Sequence, residues 1–202
     1  MRVAFVMGGI PGLGHSGSTI AGWTILEELH AAGHDVTAVL LPAPELLDES
    51  VPPRLEAIRK LGVDVRLVEI PPGEEPSRAA YLRSLLAPRD DELFPAARAR
   101  PQVREALAGA EAFLAFGIEA IAAGAGLDTP GLAVLSHPPG VSRRLRARYG
   151  RTSLAERSFL FHADRRTAAG MRRLPRGVGG RARGAEILLD LRFPGRRGVA
   201  GA

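Results

Sequence analysis

Short apolar runs alternating with helix-like segments predict an α/β protein built on a Rossmann-like, doubly wound parallel sheet. Three observations carry this prediction. Runs rich in β-branched and aromatic residues recur about every 30 residues, the length of a βαβ unit. Segments with helical spacing of apolar positions separate them. Most of the runs are apolar throughout rather than alternating, as strands covered on both faces must be.

Arg2–Met7, RVAFVM, is short and apolar enough for a buried strand. Ser18 can cap a helix through about Ala32, closed by Gly33. Ile20, Trp23, Leu26 and Leu29 give that helix an apolar stripe, which makes Trp23 a core residue rather than a stacking platform. Asp35–Pro42, DVTAVLLP, is the second strand. PPRLEAIRKLG reads as a helix with proline at its start and Gly62 at its end. VDVRLVEIP alternates clearly and is the third strand. Residues 73–95 are polar and proline-rich, with a short helix around Ser77–Leu86. RPQVREALAG is a helix, AEAFLAFG a strand, IEAIAAGAGL a helix and PGLAVLSHP the fifth strand. Ligands of such sheets bind at the carboxyl ends of the strands. The loops Gly8–Gly17 and Ser136–Gly140 are therefore the places to look.

A chain of 202 residues with 46% apolar residues can bury a core as one domain, or as one domain with a tail. The absence of cysteine excludes disulfides, thiolate metal sites and a cysteine nucleophile. The N-terminal apolar run is too short for a signal peptide, and no run approaches the roughly 20 residues of a membrane span. A cytoplasmic location is expected. The net charge of +5 hides an asymmetry. Residues 1–140 hold 11 basic and 18 acidic residues, a net of −7. Residues 141–202 hold 16 arginines and 4 acidic residues, a net of +12.

The loop GGIPGLGHSG contains a literal G-x-G-x-x-G at Gly12, Gly14 and Gly17. It is a poor dinucleotide fingerprint. Gly12 comes about four residues late for a glycine that should directly follow the strand. The second strand ends Val39-Leu40-Leu41-Pro42-Ala43, with no carboxylate for ribose hydroxyls. No Gly-Lys-Ser or Gly-Lys-Thr of a P-loop is present. Gly8 and Gly9 still allow backbone N–H groups to approach an anion, and the following helix adds its N-terminal dipole. A glycine-rich turn that binds nothing is the plainer alternative. His30 and His34 are spaced i, i+4, but Gly33 interrupts the helix between them and no H-E-x-x-H exists, which argues against a metal.

MRVAFVMGGIPGLGHSGSTIAGWTILEELHAAGHDVTAVLLP resembles the N-terminal domain of GT-B glycosyltransferases of the family 4 type. The shared features are the apolar strand, the glycine-rich loop, the helix, and L-x-x-x-G-H-x-V-T, here Leu29, Gly33, His34, Val36 and Thr37. PGLAVLSHPP resembles the strand that ends in a histidine in that family. LAERSFLFHAD, Leu154–Asp164, is similar to its E-R … A-D helix. The resemblance covers residues 1–164, and it makes the sheet one half of a GT-B fold. It implies transfer of a sugar from a nucleotide-sugar donor to an acceptor hydroxyl, with no metal and no cofactor. It also implies roles. Gly8 and Gly9 would face the donor phosphates, His137 would be the catalytic residue in the cleft, and Gly14, His15 and Ser16 would line the acceptor side. Glu119, after the fourth strand, can face the same cleft, or can simply be a favourable charge at a helix N-terminus. His137 can donate a hydrogen bond or shuttle a proton near neutral pH, or can be a plain loop histidine beside two prolines.

The chain departs from the family after residue 164. No second Rossmann-like domain and no paired-glutamate motif follow. Residues 165–202 hold 10 arginines and 8 glycines instead. They are readable as a basic, disordered tail for nucleic acid, as the end of a truncated family member, or as out-of-frame translation of a GC-rich gene. The last is preferred, because the chain has 26 arginines against one lysine. A lone N-terminal domain would lack the donor site and should be inactive. The competing class is a non-catalytic α/β binding module whose basic tail contacts nucleic acid.

Overall fold

The computed structural model describes residues 1–13, 16–44, 47–73, 87–135 and 154–174. They form an α/β fold around a five-stranded, all-parallel sheet. The strands are β1 (Arg2–Met7), β2 (Asp35–Leu40), β3 (Asp64–Leu67), β4 (Ala112–Phe116) and β5 (Gly131–Val134), in the spatial order β3-β2-β1-β4-β5. Helices α1 (Gly17–Ala31) and α2 (Val51–Lys60) cross from β1 to β2 and from β2 to β3. The chain then reaches β4 through α3 (Asp90–Leu93), a 3₁₀ turn (Pro95–Ala99) and α4 (Arg100–Ala106). Helix α5 (Ile118–Gly124) joins β4 to β5, and α6 (Leu154–Arg173) follows. The predicted Rossmann-like doubly wound arrangement is present, with helices on both faces of the sheet.

Side chains alternate between two cores. Phe5, Met7, Val36, Leu40 and Phe116 pack with Trp23, Leu26 and Leu29 of α1 and with Leu55 and Ile58 of α2. Ala4, Val6, Val39, Phe113 and Ala115 face the opposite way, against Ala96, Ala99, Val103, Ala120 and Ile121. The second face is rich in alanine, so the 3₁₀ turn, α4 and α5 lie close to the sheet. The Phe113 ring occupies the space that a side chain on Gly124 or Gly131 would need. Full burial of Phe5 and Phe113 contributes about 2–3 kcal/mol each.

The central strands are covered on both faces, whereas β3 and β5 at the edges are largely exposed or half-buried. The third strand is shorter than the alternation of VDVRLVEIP predicts. It loses its partner where β2 ends, and the Val68 N–H bond to the Leu40 carbonyl, 2.8 Å, is the last rung. The second strand likewise stops at Leu40, two residues before the expected Pro42. The cap of α1 is Ser16 rather than Ser18. Ser16 Oγ accepts from the Thr19 N–H at 3.3 Å, and Thr19 Oγ1 accepts from the Ser16 N–H at 3.0 Å. A threonine three residues on thus completes the capping box that favours Ser16. The helix expected around Ser77–Leu86 lies outside the described residues.

Helix α6 runs past residue 164 and is tied to the body. Arg166 donates to the Pro88 carbonyl at 3.1 Å and pairs with Asp90 at 3.5 Å. Gly170 lies against Ile121, and Leu174, 3% exposed, closes the alanine-rich core. Residues 165–174 are therefore packed structure. Residues 175–202, most of the arginine- and glycine-rich segment, lie outside the described residues. Among the described residues, no helix is long and apolar enough to cross a membrane.

Candidate functional site

The strand order reverses between β1 and β4, whose connections leave toward opposite faces of the sheet. Such a reversal opens a crevice at the carboxyl ends of the two strands. Met7 and Phe116 are register partners at that edge, so Gly8 and Gly117 are the first residues beyond the sheet on either side. Gly117 has φ +87, a conformation that side chains rarely adopt, and it turns the chain directly into α5. That turn places Glu119, in the first turn of α5, over the end of β1.

Gly8 and Glu119 touch. A Cβ on Gly8 would stand 2.6 Å from Glu119 Cβ and 3.2 Å from its Cγ. The missing side chain at residue 8 is therefore accounted for by the glutamate that crosses it. Glu119 Oε2 accepts the N–H of fully buried Ala96 at 3.2 Å. Its other oxygen accepts no hydrogen bond among the described residues. Burial raises the Glu119 carboxyl above the usual glutamate range, and the Ala96 hydrogen bond and the Arg98 guanidinium oppose that shift. Arg98 is held by its own Nε–H bond to the Pro95 carbonyl, 3.3 Å, and its guanidinium lies against Gly73. One carboxylate thus joins the glycine loop, the 3₁₀ turn and α5.

The other end of the loop is basic. Arg54, in the first turn of α2, donates Nε–H to the Pro11 carbonyl at 3.3 Å. A Cβ on Gly12 would meet Arg54 Nε at 2.7 Å. The loop returns to α1 through the Gly12 N–H, which donates to the Thr19 carbonyl at 3.1 Å. Burial lowers the Arg54 pKa, with the attraction of Asp48 opposing it, and the side chain stays charged. Arg54 has no further hydrogen bond or ion pair among the described residues.

The structure places Gly8, Gly9, Ser16 and Glu119 beyond the carboxyl edge of the sheet. Gly9 is buried, and a Cβ there would find only Met7 Cε, at 3.9 Å. Ser16 Oγ works as the α1 cap and also lies 3.0 Å from Ser18 Oγ. Gly14, His15 and His137 lie outside the described residues. Sequence reasoning missed Arg54, Arg98 and Gly117. A signal for Arg54 existed: a cation in the first turn of a helix opposes the helix dipole, and its placement there needs another reason.

A separate cleft of about 610 Å³ runs along the open edge of β3, lined by Arg66, Glu69, Pro72, Gln102 and Glu105. No residue of the glycine loop lines it, and the five side chains named are exposed. No protein-family model matches the chain, and no curated protein matches it.

Proposed function

We propose that residues 1–164 are the acceptor-side half of a GT-B glycosyltransferase of the family 4 type. The reaction joins an acceptor hydroxyl oxygen to the anomeric carbon of a nucleotide-sugar and breaks the bond to the diphosphate. The hydroxyl proton leaves to a base. One observation carries the reading: a glycine loop opens directly from β1 at the switch point, and the family-like Leu29, Gly33, His34, Val36 and Thr37 shape the turn that follows it. Leu29 and Val36 are buried, Gly33 has φ +77, and the His34 N–H donates to the Leu29 carbonyl at 3.2 Å. In this reading Glu119, whose second carboxylate oxygen accepts no hydrogen bond among the described residues, hydrogen-bonds an acceptor hydroxyl. His137 follows β5 and supplies the donor or proton shuttle. The leaving diphosphate is held by backbone amides and basic side chains, without a metal.

The test begins with the gene downstream of codon 164, read in all three frames. A second α/β domain with a paired-glutamate motif is expected in one of them. The product carrying both domains should release nucleoside diphosphate from a nucleotide-sugar. His137→Ala in that product should cut turnover at least about 100-fold with the fold intact. Unchanged turnover would return His137 to a plain loop residue, and the lack of any such frame would overturn the reading. The +12 charge of residues 141–202 favours a second reading, a nucleic-acid-binding module. That reading requires an affinity that falls steeply and linearly on a log–log plot against salt.

A further inference from the structure

We propose that the open edge of β3 is a homodimer interface, where a second copy of this chain pairs antiparallel and joins the two sheets into one. The proposal does not rest on sugar transfer.

β3 is the last strand on its side of the sheet. The Val68 N–H bond to the Leu40 carbonyl shows which way its backbone points. Asp64 and Arg66, in step with Val68, turn their N–H and C=O groups to β2. Val65 and Leu67 turn theirs outward, and those groups meet no partner among the described residues. The cleft of about 610 Å³ lies against Arg66, Leu67 and Val68 and leaves room beside the strand. A row of unpaired backbone groups is a template for another strand.

The side chains say which strand fits. Asp64 and Arg66 share the face toward α4, where Arg66 donates Nε–H to Asp64 Oδ2 at 3.1 Å and Nη1–H to the Ala106 carbonyl at 3.0 Å. Arg66 Nη2 and Asp64 Oδ1 have no partner among the described residues. A two-fold axis at Val65 makes Val65 a hydrogen-bonded pair with Val65 of the second copy. It sets Asp64 opposite the second copy's Arg66, and Arg66 opposite its Asp64, in non-hydrogen-bonded pairs where side chains stand closest. On the other face Leu67, 48% exposed, comes against Val63 of the second copy. An axis at Arg66 would oppose two arginines, and an axis at Leu67 would leave Asp64 opposite Ile70. β5, the other edge strand, is Gly-Leu-Ala-Val and holds no charge that fixes a register. The charge pattern of β3 is thus complementary to itself, which selects a second copy as the partner.

The experiment is sedimentation velocity of the 202-residue chain over a wide range of loading concentration, with circular dichroism to check folding. The wild type should shift from one chain to two as concentration rises. Asp64→Arg and Arg66→Glu each set like charges opposite one another, and each should weaken self-association at least about tenfold. An equimolar mixture of the two variants opposes unlike charges again and should associate as the wild type does. Leu67→Pro removes an outward N–H that does not serve β2, so it should abolish association with the fold intact. It carries the test if a charge variant fails to fold. A wild type that stays one chain at every concentration, a folded variant that associates as the wild type does, or a mixture no tighter than its components would each overturn the interface.

Discussion

The two ends of the glycine loop use the same residue type for opposite purposes. At Gly8 the space of the absent side chain is filled by the stem of Glu119, a residue that arrives from the far side of the switch point. At Gly12 it is filled by Arg54, arriving from the α1 and α2 face. One end carries a half-buried carboxylate and the other a half-buried guanidinium. A glycine-rich loop after a first strand therefore does not define one phosphate cradle. Its electrostatics are set residue by residue, by what packs against each glycine.

The comparison can be broken most severely at Gly8. Gly8→Ala forces a Cβ into the stem of Glu119, at the foot of its helix, where little can move. It should destabilise the fold by about 2 kcal/mol, read as a lowered midpoint in urea unfolding. In a Glu119→Gly background, which removes both the Cβ at 2.6 Å and the Cγ at 3.2 Å, Gly8→Ala should cost less than it does in the wild type. An equal cost in both backgrounds would mean that backbone strain at residue 8, rather than contact with Glu119, sets the cost. Gly12→Ala meets only the end of a long side chain, which can swing away. Its stability cost should be about 0.5 kcal/mol. If Gly12→Ala proved as damaging to the fold as Gly8→Ala, the two ends would be equivalent and the contrast would fail.

The smallest effect concerns pH. The Glu119 pKa is raised in the folded state, so the folded chain holds the proton more tightly than the unfolded chain does. The stability linked to that proton is present in full below the ordinary glutamate range. It is lost as pH rises through the raised folded value. Glu119→Gln cannot titrate and still offers an oxygen to the Ala96 N–H. Its thermal midpoint should stay level across the window in which the wild type declines. A parallel decline in both would assign the pH dependence to other groups.

Much of the fold was legible because its signals are local. Trp23, Leu26 and Leu29 mark a buried helix face by spacing alone, and the apolar runs of β1, β2 and β4 mark covered central strands. Strand ends were less legible. The alternation of β3 continues past Leu67, but no neighbouring strand remains to pair with it. The choice of Ser16 over Ser18 as cap turned on which serine has a partner three residues ahead, a local cue carried by Thr19. The site divides in the same way. Gly8, Gly9 and Glu119 were selected by their place after strands. The contact between Gly8 and Glu119 spans 111 positions of chain, and nothing in either neighbourhood announces it.

The sequence by itself determined the kind of architecture, a parallel sheet covered on both faces. Hydrophobic periodicity depends only on neighbours along the chain, and it decides which residues must leave water. Only the tertiary structure decided that Gly8 faces the stem of Glu119, that Gly12 faces the Arg54 side chain and that Leu174 closes the second core. Those outcomes depend on the strand order β3-β2-β1-β4-β5, which brings distant segments to one edge of the sheet. Charge pairing and steric fit at that edge are properties of the assembled crevice, and no single stretch of the chain contains them.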